Sequence, residues 1–238
     1  MFLFKKSELS KCFSNMVDMH NHILPGVDNG VHSLDSALKV LSYFETLGVK
    51  KIIVTPSIGN DYPENNATML REKFSEFKKA YVGKIELELA AEYALDDSFK
   101  NHLKSGDLLT LLGKYLLIEL HNSDMLVDVK NLISDIISAG YTVILAHPEN
   151  YRHLGRAEYA ELKEMGVLFQ LNILSVSGCY GGLRQSKSKY LLKKSLYDFV
   201  GSNIHSYSNY TSALRHNKVS NNTIKRIEKL KSNKLLDI

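Results

Sequence analysis

Apolar residues along this chain follow two alternating rhythms. Short β-type runs occupy Met16–His20, Lys51–Thr55, Ile85–Ala91, Tyr115–Glu119, Thr142–Ala146, Val167–Asn172 and Asp198–Ser202. Between them, apolar residues recur at three-to-four spacing, as in a helix with one buried face. In Ser36–Leu47, the residues Ala37, Leu38, Leu41, Phe44 and Leu47 share a face and Gly48 supplies the stop. Leu126–Ala139 repeats the design, with Leu126, Val129, Ile133, Ile136 and Ile137 inward and Gly140 as the cap. Glu161–Met165 ends the same way at Gly166, and Lys187–Leu196 and Asn222–Leu230 complete the set. About seven strands separated by helices predict a parallel sheet with right-handed crossovers. Residues 1–15 read as a loosely held leader, and residues 16–238 as a single domain undivided by repeat or linker.

Metal-ligand residue types sit where this pattern would gather them. His20 and His22 stand at the end of the first β run, two apart, so both imidazoles can face one ion. Glu92, Glu119, His147 and His205 each stand at or just past the end of a later run. In a (β/α) barrel those ends form one rim, where groups distant in sequence converge. Imidazole nitrogens mixed with carboxylate oxygens suit zinc, manganese or iron, and a hydrolytic site rather than a structural one.

Composition narrows the setting. An apolar fraction of 44% and a charged fraction of 24% over 238 residues describe an ordinary globular protein. A net charge of +4 is too small to argue for nucleic acid. Cys12 and Cys179 provide no disulfide framework and fit a reducing cytosol. The opening Met-Phe-Leu-Phe-Lys-Lys places apolar residues ahead of charges, the reverse of a secretory signal, and no later stretch is long enough to span a bilayer. The expectation is a cytoplasmic protein.

Several segments carry a family resemblance: Asp18-Met-His20-Asn-His22-Ile-Leu-Pro-Gly-Val-Asp28-Asn29-Gly30, Thr55-Pro56, Ala91-Glu92-Tyr93, Leu117-Ile118-Glu119, Ala146-His147-Pro148-Glu149, Gln170-Leu-Asn172, Gly178-Cys-Tyr-Gly181 and Ser202-Asn203-Ile204-His205. Together they resemble the PHP (polymerase and histidinol phosphatase) superfamily, and within it the bacterial CpsB/CapC-type tyrosine-protein phosphatases of capsule and exopolysaccharide synthesis. The resemblance implies a distorted (β/α)7 TIM-like barrel with up to three divalent ions, usually manganese, at the rim. It implies Glu92 as a bridging carboxylate, His20 and His22 on one ion, and Glu119 and His147 on its neighbour. His205 would serve a third ion, and Asn203 could offer an amide oxygen to the pair. Catalytic roles fall to Glu92, His147 and His205. The substrate implied is the phosphorylated tail of a bacterial tyrosine autokinase; self-association stays open.

The chain also departs from the family pattern. Asn29, Ser57, Asn150 and Asn203 replace an expected aspartate, histidine, arginine and aspartate, and the last loop lacks its arginine. Asn29 and Ser57 belong to the third-ion site, which is therefore expected to be weak, leaving two ions. Arg152, Arg184, Tyr180 and Lys187 are candidates to hold substrate in place of the missing arginines, with Tyr93 another candidate at the mouth. Asp18 is expected to fix the tautomer of a neighbouring imidazole. Zinc, iron or magnesium could replace manganese. Two readings follow: an active phosphatase, or a degenerate relative that binds metal, kinase or phosphopeptide with little turnover. The basic tail from Arg215 to Lys234 reads as a solvated helix face.

Overall fold

The computed structural model describes residues 6–120 and 126–230. All seven expected strand regions form strands within it, and four others join them. The strands are β1 (Lys6–Glu8), β2 (Val17–Asp18), β3 (Lys51–Val54), β4 (Ser57–Ile58), β5 (Glu86–Leu89), β6 (Glu92–Ala94), β7 (Tyr115–Glu119), β8 (Thr142–Ala146), β9 (Leu168–Asn172), β10 (Phe199–Gly201) and β11 (Lys218–Ser220). A six-stranded parallel sheet runs β10-β9-β8-β7-β6-β4, and a three-stranded parallel sheet runs β2-β3-β5.

Two breaks join these sheets. The run from Lys51 switches sheets at Thr55-Pro56, where proline has no N–H to continue a ladder. The run from Ile85 switches at Ala90-Ala91: the Ala90 N–H donates to Val54 O (2.9 Å), and the Glu92 N–H donates to Pro56 O (3.1 Å). Glu92 therefore opens a new strand just past the end of β5.

The other seam is closed by backbone and carboxylate together. The Asn203 N–H donates to His20 O (2.8 Å) and the His22 N–H to Ile204 O (3.0 Å). Asp18 accepts from the Ser202 N–H (2.7 Å) and hydroxyl (2.6 Å), tying β2 to β10. Inside the cylinder, Val17, Met19, Ile53, Ala90, Tyr115, Leu117, Ile144, Ala146 and Phe199 form one apolar cluster drawn from both sheets. A second, larger cluster fills the layer between strands and helices. Side chains alternating between these two layers explain why β7 and β8 are apolar nearly throughout.

The helices are α1 (Leu34–Leu47), α2 (Ala67–Ala80), α3 (Phe99–Ser105), α4 (Leu126–Ser138), α5 (Arg156–Glu164), α6 (Gly182–Lys193), α7 (Tyr207–His216) and α8 (Asn221–Leu230). α1 starts two residues before its predicted position because the Ser33 hydroxyl caps the Ser36 N–H (3.3 Å), and it stops at Gly48 with φ +81°. α2, α3 and α7 were not predicted; α2 buries only a sparse stripe, Ala67, Leu70 and Phe77. Ile137, expected inward on α4, is 40% exposed. The basic tail is not one helix: β11 interrupts it between α7 and α8, and residues 231–234 lie outside the described residues.

The loosely held leader is corrected over its described part. β1 pairs antiparallel with β11, and Leu9, Cys12 and Phe13 in the following 3-10 turn are fully buried. The Phe13 ring packs against Phe44 and Tyr210, with centroids 5.5 and 6.3 Å apart. Burying two large apolar side chains outweighs the freedom of a short segment. Among the described residues no helix is long and apolar enough to cross a membrane.

Candidate metal centre

The strand ends bring the predicted ligands together. His20, His22 and Glu92 form one group whose ligand atoms all lie within 4.8 Å of one another; Glu92, Glu119 and His147 form a second. Glu92 is common to both. Its Oε1 lies 3.2 Å from His20 Nε2 and 3.4 Å from His147 Nε2, and its Oε2 lies 3.4 Å from His22 Nε2. Glu119 Oε1 is 3.6 Å from His147 Nε2 and marks the open side, with 43% of its side chain exposed.

The hydrogen bonds behind these rings fix which nitrogen faces the centre. Gln170 on β9 accepts the His147 backbone N–H (3.3 Å), so the atom presented there is its amide oxygen. The same oxygen lies 2.9 Å from His20 Nδ1, which must therefore carry the proton. His22 Nδ1 donates to Asp28 (2.8 Å), a carboxylate also held by the N–H groups of Gly30 and Ser57. The Tyr151 hydroxyl donates to Ala146 O (3.1 Å) and so accepts from His147 Nδ1 (3.3 Å). His205 Nδ1 donates to Asn203 O (3.1 Å). In the neutral form of each imidazole the lone pair therefore falls on Nε2.

Three of those lone pairs face carboxylate oxygens at 3.2–3.4 Å, acceptor against acceptor, in a buried site. His20 Nε2 and Glu92 Oε1 have no hydrogen-bond partner. Such an arrangement is stable only with positive charge between the atoms. Protons can supply part of it: burial disfavours charge on His22, yet Asp28 and Glu92 outweigh this and hold its pKa up at about 10. Burial also opposes ionisation of Glu92, but the surrounding imidazoles hold it well below the usual carboxylate range. Glu119 is pushed up by burial and by Glu92. A divalent cation meets the same demand with the donor set on hand, so the residues present fit a metal centre.

His205 differs from the other three. Its ring stacks on His22 at 4.0 Å, and burial with the neighbouring His22 charge lowers its pKa to about 4, keeping it neutral. His205 and Asn203 line the wall of the cluster cavity, which encloses about 170 Å³ with Asn29, Ser57, Asp61, Tyr62 and Asn150 among its lining residues. Asn203 (φ +50°) and His147 (φ +34°) both take left-handed backbone conformations, a local strain that aims their side chains.

Other expectations change. Asp18 fixes no tautomer; it bonds Ser202 and the His20 backbone N–H, and burial raises its pKa to about 6 despite those bonds. Gln170, Asp28 and Tyr151 do the orienting instead. Gln170 is one of two amides in the otherwise apolar run Leu168–Asn172, and its sequence surroundings carry no signal of this role. Tyr93 is buried, its hydroxyl accepting the Leu109 N–H, so it does not line the mouth. Arg152 is exposed and lines neither the cluster cavity nor its neighbour. Lys187 is committed to backbone carbonyls, including Leu154 O at 2.7 Å. Tyr180 and Arg184 line an adjoining cavity of about 470 Å³. His121, a histidine close enough to the rim to be weighed as a ligand, lies outside the described residues.

A buried histidine–carboxylate cluster on the C-terminal rim of a parallel barrel defines a (β/α)-barrel protein of the metallohydrolase type. The family model for capsular polysaccharide synthesis, CpsB/CapC, matches residues 16–236, and the chain belongs to that family. Over 200 residues it is 28% identical to the putative tyrosine-protein phosphatase CapC of Staphylococcus aureus, covering 82% of this chain and 78% of that one. It is also 28% identical to the tyrosine-protein phosphatase YwqE of Bacillus subtilis, covering 80% and 77%. A solved structure described as YwqE from Bacillus subtilis and CpsB from Streptococcus pneumoniae, unique metal-dependent tyrosine phosphatases, superposes with a TM-score of 0.81. It is 23% identical and covers 93% of this chain and 94% of that one; it bears out the barrel.

Proposed function

We propose that this protein is a metal-dependent protein-tyrosine phosphatase acting in the cytoplasm on the phosphorylated tail of a tyrosine autokinase of capsular or exopolysaccharide synthesis. The relatives' names support the substrate class. The observation that carries the reading is the convergence on Glu92 of three imidazoles, each with Nδ1 already committed and Nε2 turned toward the carboxylate. In this reading His20, His22 and Glu92 would hold one ion and Glu92, Glu119 and His147 a second, with Glu92 common to both sets. The Asn203 amide oxygen completes the wall. Manganese is the metal proposed for this mixed nitrogen and oxygen set, with zinc, iron or magnesium as alternatives.

Bound there, divalent metal would neutralise phosphoryl oxygens and supply a water acidic enough to attack at neutral pH. The protein's own part is to hold the geometry. Gln170, Asp28 and Tyr151 lock ring orientation, burial shields the imidazoles from bulk water, and His205, neutral with Nδ1 committed to Asn203 O, offers Nε2 as an acceptor for a proton.

One observation favours the alternative, a degenerate relative that binds metal, kinase or phosphopeptide with little turnover. Among the described residues no arginine or lysine lines the cluster cavity, while the neutral Asn29, Ser57, Asn150 and Asn203 do. Metal analysis combined with an aryl phosphate assay in manganese separates the two. The phosphatase reading expects bound metal and turnover that Glu92→Ala abolishes; metal without turnover selects the alternative.

A further inference from the structure

The phosphatase reading leaves a question of room. A cavity of about 170 Å³ holds roughly six water volumes at ~30 Å³ each, enough for ions, their water and a phosphoryl group. The aryl ring and peptide that follow must lie elsewhere. The adjoining cavity of about 470 Å³ shares the wall formed by Asn150, Asn203 and His205, so a substrate seated at the cluster extends into it.

The two cavities have opposite electrostatic character. Asp61, Glu92 and Glu119 line the smaller one. Among the described residues no carboxylate lines the larger, and its one permanent charge is Arg184. Arg184 stands in the first turn of α6, where its Nη1 donates to Tyr180 O at 3.3 Å. Among the described residues it forms no ion pair, so most of its donors remain available. Tyr180, beside it, presents an aromatic surface to the same space. In the shared wall, Asn150 Oδ1 and Asn203 Oδ1 are buried without partners.

We propose that Arg184 is a specificity residue: it pairs with a second anionic group of the substrate, a carboxylate or phosphate close in sequence to the phosphotyrosine being cleaved. Arg184 lines only the larger cavity, which assigns it to this neighbouring anion rather than to the scissile phosphoryl group. The inference rests on the phosphatase reading for what occupies the cluster, but its test reads binding as well as turnover.

The test uses three phosphotyrosine peptides that differ only in the flanking positions, filled by Gln, Glu or a second phosphotyrosine. A matched set carries a non-hydrolysable phosphonate in place of the scissile phosphate. With manganese-loaded full-length protein at low salt, the anionic peptides should bind about tenfold more tightly than the Gln peptide, as expected for a charge-assisted pair. The preference should shrink as salt is added. Arg184→Gln should bring the ratio close to one, and Arg184→Lys should keep part of it, having charge without the fork. Preference in both anionic arms assigns any anion to the site; preference in the doubly phosphorylated arm alone assigns phosphate. Equal binding of all three peptides by the unmodified protein overturns the proposal. So does a ratio that survives Arg184→Gln, or an equal loss on all three peptides. Preference in binding without turnover would keep this inference and remove the phosphatase reading, whereas turnover without preference would do the reverse.

Discussion

The two sides of the metal cavity are built differently. On one side His20, His22, Glu92 and His147 are buried, and each imidazole is braced by a partner that is itself buried: Gln170, Asp28 or Tyr151. On the other side Asn29 is exposed, Ser57, Asn150 and Asn203 are half-buried, and all four are neutral. Folding treats these sides unequally. Removing Gln170 or Asp28 strands a buried polar partner, at a cost of roughly 1–3 kcal/mol. Exchanging charge for amide at Asn29 costs folding almost nothing. The braced side is therefore held in place by stability as well as by chemistry, and the open side by chemistry alone. The four positions that depart from the pattern the sequence resembles, Asn29, Ser57, Asn150 and Asn203, all lie on the open side.

The largest effect that would break this comparison belongs to Glu92. Glu92→Ala removes the group common to both ligand sets, so metal content should fall to background and activity by about 10³-fold or more. In the parent, manganese at one hundred times its dissociation constant stabilises by ~2.7 kcal/mol. That is a rise in Tm of several degrees for a chain of this size, absent in the variant and readable by calorimetry. A variant that retained two ions per chain would show that Glu92 is not the shared ligand. Next in size is restoration of the open side. Asn29→Asp, Ser57→His and Asn203→Asp together should raise manganese-dependent aryl phosphatase turnover on the order of tenfold, by adding carboxylate and imidazole ligands that would hold a further cation against the developing phosphate charge. No gain, with a third ion demonstrably bound, would place any weakness elsewhere.

Much of the braced side was legible in the sequence because its signals are of two independent kinds. The β runs predicted seven strands, all found, and the ligand types sit at their ends. What escaped is what needs three dimensions. Gln170 lies 150 residues from the ring it orients, and nothing in its run distinguishes it from the neighbouring amide Asn172. Asp18, adjacent to the histidines, looked like their support, yet its carboxylate turns to Ser202, 184 residues away, to close the barrel seam. The strand breaks at Pro56 and Ala90 were invisible as changes of sheet, because periodicity reports alternation and not the partner strand. The leader was misread for a similar reason: Leu9 and Phe13 are only two large apolar residues, and the slot that takes them comes from distant elements, including Phe44 and Tyr210.

Smaller effects sharpen the contrast between the two sides. Gln170→Leu keeps the side-chain bulk but removes the acceptor that places the proton on His20 Nδ1. Manganese affinity should fall about tenfold, the usual range for losing an orienting partner of a metal-bound imidazole, with the rest of the fold retained by circular dichroism. Asn29→Ala is the matching test on the open side. Its backbone N–H, which donates to the Tyr62 hydroxyl at 3.2 Å, survives the substitution, and the side chain is exposed. Manganese affinity measured by isothermal titration should then stay within about twofold of the parent, since an exposed neutral amide adds little to a cation already held by buried imidazole and carboxylate groups. A tenfold loss would mean that the Asn29 amide oxygen holds an ion of its own. The open side would then be a working site with its charge removed, and the distinction between the two halves would rest on charge rather than on burial.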